Sequence, residues 1–429
     1  MALGILVALM LMVVAAVPVA AILGILSFGL DSLYFGGRLT PAIGEFVWDK
    51  SKEFILVAVP MFILLGEIML RAGIAQRMYN AVAQWLSWLP GGLMHANIGS
   101  CAIFAASSGS SVATAATVGT VAYPQIERRA YNERLFLGSL AAGGTLGILI
   151  PPSINLILYG LLTDSSVPEL YLAGIIPGII LSTLFMAAIV VACLWRRDWG
   201  GARIETNWRA RIRTLPDLVP PILLFVVVVG SIYAGVATPT EAASVGVCFA
   251  LLLSAWTRTL KLSMLREAFE GTMRTTAMIM LIILAAVFLN FVLGFIGVTQ
   301  AMINFMAELG LTALEFMVLL VIFYLILGMF METLSMMLTT VPVIFPIVVQ
   351  MGFDPVWFGV MITVLMETAL ITPPIGVNLS VVQGIRSRGG KFNDVAYGAL
   401  PFVVSMLVMV VLLIAYEDLA LYLPTLVYR

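Results

Sequence analysis

Two proline pairs, Pro151-Pro152 and Pro373-Pro374, interrupt apolar segments that would otherwise run on as helices, and they stand at equivalent places in two halves of the chain. Residues 144–155 read GTLGILIPPSIN and residues 367–378 read ETALITPPIGVN, an offset of 222. The same offset lays Pro124 on Pro346, Thr117 on Thr339 and Gly24 on Gly246. At an offset of 224, Gly73, Gln76, Met78 and Asn80 fall on Gly297, Gln300, Met302 and Asn304, and Gly174 and Pro177 fall on Gly398 and Pro401. Proline has no amide to donate and clashes with the preceding turn, so a pair stops an α-helix. Matched halves, each with a broken apolar segment, predict a secondary transporter with its site near the membrane midplane.

Only a membrane chain tolerates this composition. Of 429 residues, 62% are hydrophobic and 10% charged, too few polar groups to face water around a soluble core. The runs 3–30, 54–70, 170–194, 218–235, 278–295 and 396–415 are each long enough for a bilayer core of roughly 30 Å. The first run lacks a basic leader and is read as a retained helix rather than a signal peptide. Cys101, Cys193 and Cys248 are widely separated in apolar stretches, which fits packing better than a disulfide or metal set. His95 is the single histidine, and no basic, aromatic-interleaved patch points to nucleic acid.

Loop charges orient the chain. Of the 22 Lys and Arg, 18 lie in 71–77, 127–134, 196–213, 258–274 and 386–391, which the positive-inside rule makes cytoplasmic. Arg38, Lys50, Lys52 and Arg429 fall outside these loops, and the opposite loops carry Asp164, Glu169, Glu241, Glu308, Asp354, Glu417 and Asp418. Segment 93–124 begins and ends on the basic side, so it enters and returns as a re-entrant hairpin with SSGSS (107–111) at its tip. Segment 314–348 does the same from the opposite face, with GMFMET (328–333) at its tip. The counterparts 54–70 and 278–295 run in opposite senses, so the repeats are inverted. The expected fold is therefore an all-α polytopic, inverted-repeat transporter with two re-entrant hairpins and two broken helices. The expected divisions are scaffold and arm of repeat 1 over 1–92, hairpin and transport elements over 93–195, a flexible cytoplasmic linker over 196–217, the second scaffold and arm over 218–310, the second hairpin and transport elements over 311–416, and a tail over 417–429. Segments 74–89 and 299–309 read as amphipathic arm helices at the interface.

Unpaired backbone at membrane depth survives only when buried in protein or lining a cavity. The proline pairs free carbonyls over 147–150 and 369–372, and the small tip residues Ser107, Ser108, Gly109, Ser110 and Ser111 allow close backbone approach. Converging carbonyls and hydroxyls suit a hard monovalent cation such as sodium, and half-helix N-termini suit an anion. A single break reads rather as a kink that shapes packing; repetition in both halves, each opposite a polar tip, favours the functional reading. Glu332 with Thr333 at the second tip, Glu367, and Asn155 and Asn378 just past the breaks are the candidate substrate-binding residues. The alternatives are a local hydrogen bond for Glu367 and interhelical glue for the asparagines. Glu67 and Glu241, near helix ends, read as snorkelling to the interface.

The runs SSGSSVATAATVGTVAYP (107–124), GTLGILIPPSI (144–154), AGIIPG (173–178), GVATPTEAA (235–243), GMFMETLSMMLTTVPVIFPI (328–347) and ITPPIGVNL (371–379) resemble the large membrane subunit of tripartite ATP-independent periplasmic (TRAP) transporters. The resemblance implies a sodium-driven importer of small organic acids in a bacterial inner membrane, moving by an elevator mechanism. It also implies two partners, a separate four-helix small membrane subunit and a periplasmic binding protein. One sodium site would then use the first tip (Ser107, Ser108, Ser110, Ser111) with Gly147, Ile150 and Pro152; the other, Gly328 with Ala369, Thr372 and Ile375. Ala369 stands where the family usually has glycine, and Glu332 where it usually has aspartate.

The expected function is sodium-coupled import of a small carboxylate such as a C4-dicarboxylate or sialic acid, with sodium as coupling ion, no other cofactor, and membrane lipid as surroundings. The alternative is a stand-alone sodium–dicarboxylate or oxyanion transporter of the same architecture. HExxH, aspartate-rich pyrophosphate and Ser/His patterns are absent from the sequence, so an enzyme is not expected.

Overall fold

Inside a bilayer each apolar run must satisfy its own backbone, and the chain does so with helices. The structure, a computed structural model, describes residues 2–15, 17–202, 207–308, 310–386 and 389–428. Arg203, Leu309, Arg388 and Arg429, which the loop and arm readings include, lie outside the described residues. Regular structure among the described residues is helical, apart from an isolated bridge between Tyr131 and Gly200.

The first half comprises α1 (Ala2–Val14), α2 (Val19–Phe35), α3 (Ile43–Ser51), α4 (Ala58–Arg71), α5 (Ile74–Leu86), α6 (Leu93–Ser108), α7 (Ser111–Ala122), the short α8 (Gln125–Arg128), α9 (Glu133–Leu149), α10 (Ile154–Thr163) and α11 (Val167–Trp195). A short helix, α12 (Trp208–Thr214), lies in the joining segment. The second half comprises α13 (Val219–Tyr233), α14 (Pro239–Trp256), α15 (Leu262–Ile296), α16 (Val298–Glu308), α17 (Ala313–Gly328), α18 (Thr333–Gln350), α19 (Pro355–Leu370), α20 (Val377–Ile385), α21 (Phe392–Ala415) and α22 (Asp418–Tyr428). Six helical segments among the described residues are long and apolar enough to cross a membrane. The order arm, hairpin, broken helix, long helix recurs as α5–α11 and α16–α21.

Local chemistry explains the boundaries. Gly109 turns the first hairpin at φ +58°, and Ser110 caps α7 by accepting from the Ala113 amide. Asn132 and Ser153 cap α9 and α10 by accepting from the Leu135 and Leu156 amides. Thr238 and Glu241 form a reciprocal capping box at the start of α14, and Thr312 and Glu315 repeat it at the start of α17. Both Pro-Pro bonds are cis, and α9 and α10 meet at 42°.

Two expected loops are partly helical. Helix α15 has 35 residues and begins at Leu262, inside the basic stretch 258–274. Leu, Met, Arg, Glu and Ala are all strong helix formers, and Arg266–Glu270 adds an i,i+4 ion pair at 2.8 Å. In the joining segment, Asn207 caps α12 by accepting from the Ala210 amide at 2.7 Å.

The two broken helices occupy the centre. Every side chain of α9 from Leu135 to Leu149 is buried, as is every one of α19 from Val356 to Leu370. Helix α9 packs on α21 through Gly138 and Gly398, where a Cβ on either would overlap the opposite backbone. The basic ends of the same elements are tied by Arg386, whose side chain is 3% exposed. Its guanidinium donates to Glu133 at 2.7 Å and to the Lys391 carbonyl at 3.1 Å, with Asp394 3.8 Å away.

Candidate functional site

Pro151 and Pro152 carry no amide hydrogen, so the carbonyls of Gly147 and Ile148 lose their α-helical partners. The Ser153 hydroxyl donates to Ile148 and replaces one of them. The first tip presses onto this opening. A Cβ on Gly147 would sit 2.6 Å from the Ser110 carbonyl oxygen and 2.9 Å from Thr114 Oγ1, and a Cβ on Gly109 would sit 3.0 Å from the Pro152 carbonyl oxygen. Glycine at these positions is what allows tip and break to meet. Thr114 donates its hydroxyl to the Ser110 carbonyl at 2.7 Å and lies 2.8 Å from Ser108 Oγ, giving a knot of neutral oxygens beside Gly147.

The second tip and break meet likewise. Gly328, at the end of α17, abuts Ala369, and a Cβ there would collide with the alanine methyl. After Leu370 the chain closes with two tight turns, Ile371 N–H to Thr368 at 3.3 Å and Thr372 N–H to Ala369 at 3.2 Å. Thr372 Oγ1 donates to the Thr368 carbonyl at 2.6 Å. Gly376, at φ +40°, runs past the Leu370 carbonyl, from which a Cβ would stand 2.7 Å. Glu332 caps α18, accepting from the Leu334 amide and the Ser335 hydroxyl at 3.3 Å each.

Between the two tips lies a cavity of about 120 Å³, somewhat smaller than the roughly 150 Å³ that holds a benzene. Its wall is lined by Ser108, Gly109 and Ser110 of the first tip, Asn155 of α10, and Glu332 and Thr333 of the second tip. Ile63, Gly66 and Glu67 of α4 and Thr275 of α15 close the remaining side. Three helix N-termini border this space, those of α7, α10 and α18, and so do the C-terminal ends of α6, α9 and α19. One set offers partial positive charge and the other partial negative charge, so the cavity can face an anion and a cation together. Glu332 occupies the N-terminus of α18 with its own carboxylate, whereas those of α7 and α10 are capped by the neutral hydroxyls of Ser110 and Ser153.

Ser108, Ser110, Ser111, Asn155, Glu332 and Thr333 thus line one cavity. Asn155 has its amide nitrogen buried without a partner. Gly147, Ile150 and Pro152 lie behind the first tip, and Ser107 turns its hydroxyl to its own helix at Phe104. Glu367 is fully buried; neither carboxylate oxygen meets hydrogen-bond geometry, although the Leu149 amide faces it. Asn378 leaves the cavity wall and donates to the Ala141 carbonyl at 3.2 Å, tying the second break to α9. Ile375 is exposed. Thr114, Gly66 and Glu67 are absent from the sequence-based set. Glu67 does not snorkel outward: it lines the cavity, pairs with Arg71 and fills the space left by Gly271, whose Cβ would stand 2.9 Å from its carboxyl group. A small residue facing a tip in a long span was the one available signal for Gly66.

Two hairpins and two paired breaks gathered around a partly open cavity, apolar over most of its wall with polar groups from the tips, are the architecture of a helical membrane transporter. The fold matches that of the Alcanivorax borkumensis YdaH transporter, with a TM-score of 0.68 over 97% of this chain and 99% of that one at 14% identity. Residues 6–419 match the family model "Tripartite ATP-independent periplasmic transporter, DctM component", and the chain belongs to that family. It is 33% identical to the C4-dicarboxylate TRAP transporter large permease protein DctM of Rhodobacter capsulatus, covering 99% of this chain and 98% of that protein. Similarity extends to the sialic acid TRAP large permease SiaM of Vibrio cholerae, at 31% identity with 87% of each chain covered. It extends also to the ectoine/5-hydroxyectoine large permease UehC of Ruegeria pomeroyi, at 31% with 87% and 86% covered. The protein is therefore a TRAP large permease of the bacterial inner membrane, which works with a small membrane subunit and a periplasmic binding protein. This assignment replaces the stand-alone alternative.

Proposed function

We propose that the protein couples sodium entry to import of a small organic acid through the cavity between its two hairpin tips. The observation that carries this reading is the convergence of three helix N-termini and three helix C-termini on one small cavity. The N-termini of α7 and α10, capped only by the neutral hydroxyls of Ser110 and Ser153, suit a carboxylate, and Asn155 offers it an unpaired amide. The donors at each tip–break contact are neutral carbonyl and hydroxyl oxygens, the set a hard monovalent cation takes. The Gly147 carbonyl with the Ser108–Thr114–Ser110 knot would hold one sodium, and the Ala369–Thr372 turn beneath Gly328 the other. When bound, sodium supplies positive charge beside the substrate carboxylate, which a cavity lined by Glu67 and Glu332 lacks.

Relatives named for C4-dicarboxylate, sialic acid and ectoine support a small carboxylate-bearing substrate. The two tips and broken helices would move as one body past the wall of α4 and α15, an elevator step that carries the cavity across the bilayer. The small partner would be a separate four-helix subunit. In proteoliposomes holding the permease, its small subunit and the binding protein, uptake of labelled succinate or sialic acid is expected to stop when external sodium is exchanged for choline. Uptake that persists in choline overturns the sodium reading.

A further inference from the structure

Helix α12 is not needed by the transport site, yet it is built to a definite pattern. Trp208, Ile212, Leu215 and Val219 recur at helical spacing and are 67%, 61%, 42% and 56% exposed. The stripe runs on into Ile222 and Leu223 of α13, also exposed, across a bend of 45°. An apolar stripe shared by a short helix and the transmembrane helix after it belongs at the bilayer edge, with α12 lying in the interface. The stripe is fixed to the protein from behind. Arg211 donates to the Gln84 carbonyl of arm helix α5 at 3.1 Å and stacks on Trp85 and Trp208, whose rings meet edge to face at 6.2 Å.

Arg209 and Arg213 follow Trp208 and Ile212 by one position each, so they sit one turn apart along the same flank of the stripe. Both are exposed, and among the described residues neither pairs with a carboxylate. The geometry points to a headgroup site: Arg209 and Arg213 bind the phosphate of an anionic phospholipid whose acyl chains lie along Trp208, Ile212 and Leu215. Charge complementarity selects an anionic headgroup over a zwitterionic one, and the stripe selects a lipid over a soluble phosphate. Each arginine near an anionic surface adds about a fivefold preference. This inference does not depend on the transported substrate or on sodium.

The test uses the permease with its small subunit in nanodiscs of phosphatidylcholine alone or mixed with phosphatidylglycerol. The anionic lipid is expected to raise the thermal unfolding midpoint, and Arg209→Gln/Arg213→Gln to lose more than half of that rise with an unchanged midpoint in phosphatidylcholine. The control Arg128→Gln/Arg274→Gln, exposed arginines elsewhere, should keep it. Brominated phosphatidylglycerol should quench Trp208, read against Trp208→Phe, more than equimolar brominated phosphatidylcholine does. A full rise retained in the double variant, equal loss in both pairs, or equal quenching by the two lipids overturns the proposal. A rise reproduced by soluble glycerol phosphate in phosphatidylcholine discs overturns the lipid assignment.

Discussion

Gly147 of the first broken helix and Ser110 of the first hairpin tip stand so close that a single methyl group cannot be placed between them. A Cβ on Gly147 would lie 2.6 Å from the Ser110 carbonyl oxygen. The first hairpin tip and the first broken helix are thereby packed backbone against backbone, with the Ser110 carbonyl and the Thr114 hydroxyl turned to Gly147.

Gly147→Ala must displace the tip or the break. Overpacking of this kind costs roughly 1–3 kcal/mol, and the displaced atoms are the ones proposed to hold sodium. Succinate uptake should fall steeply and the sodium concentration for half-maximal uptake should rise. Wild-type uptake at wild-type sodium dependence would separate Gly147 from the ion site.

Thr372→Ala removes the hydroxyl that donates to Thr368 at the second break. A lost hydrogen bond near 1 kcal/mol corresponds to a weakening of sodium dependence of about fivefold, read as a shift of the sodium titration of uptake. Thr372→Ser keeps the hydroxyl and should restore most of it. Identical titrations for Ala and wild type would remove Thr372 from the site.

Glu332→Ala takes away the cap of α18 and the carboxylate in the cavity wall together. The cap is worth about 1 kcal/mol, visible as a lowered unfolding midpoint. Glu332→Asp should keep the cap and a larger share of uptake, because aspartate is a strong N-cap and retains the charge. Equal uptake by the two variants would show that the carboxylate is not used in transport.

Arg386→Ala breaks the buried contact that joins the ends of α9, α20 and α21. The variant loses charged hydrogen bonds worth about 1.5–3 kcal/mol, and Glu133, with 42% of its side chain in solvent, is left hydrated. Arg134→Ala, at an ion pair with Asp394 whose arginine is 61% exposed, should cost under about 1 kcal/mol. Denaturation of the two variants in the same detergent compares them directly, and equal midpoints would contradict the burial argument.

Much of the fold is legible without coordinates. The proline pairs locate both breaks, the SSGSS run locates the first tip, and the loop charges order the hairpins, because each rests on a local rule: a missing amide, a small side chain, a charge that stays on one side. The same local reasoning falls short at 258–274 and 196–217, where positive charge indicates a loop. There, strong helix formers and an Asn207 cap carry α15 and α12 into the basic stretches. Charge reports which side of the membrane a segment lies on, not whether it is coiled.

Asn155 and Asn378 show the same boundary within the site. Both follow a proline pair by the same distance, and the sequence treats them alike. In three dimensions Asn155 faces the cavity with an unpaired amide, whereas Asn378 is taken by the Ala141 carbonyl of α9. Glu67 and Gly66 enter the cavity wall from a helix with no motif at all.

The amino-acid order alone determined the helices, their interruptions and the duplication, since these depend on residue type and near neighbours along the chain. Which tip meets which break, which asparagine keeps a free hand, and that six helix ends border one cavity were decided only by tertiary packing. Those outcomes depend on contacts between segments scores or hundreds of residues apart, where close approach of backbones is set by shape and not by periodicity.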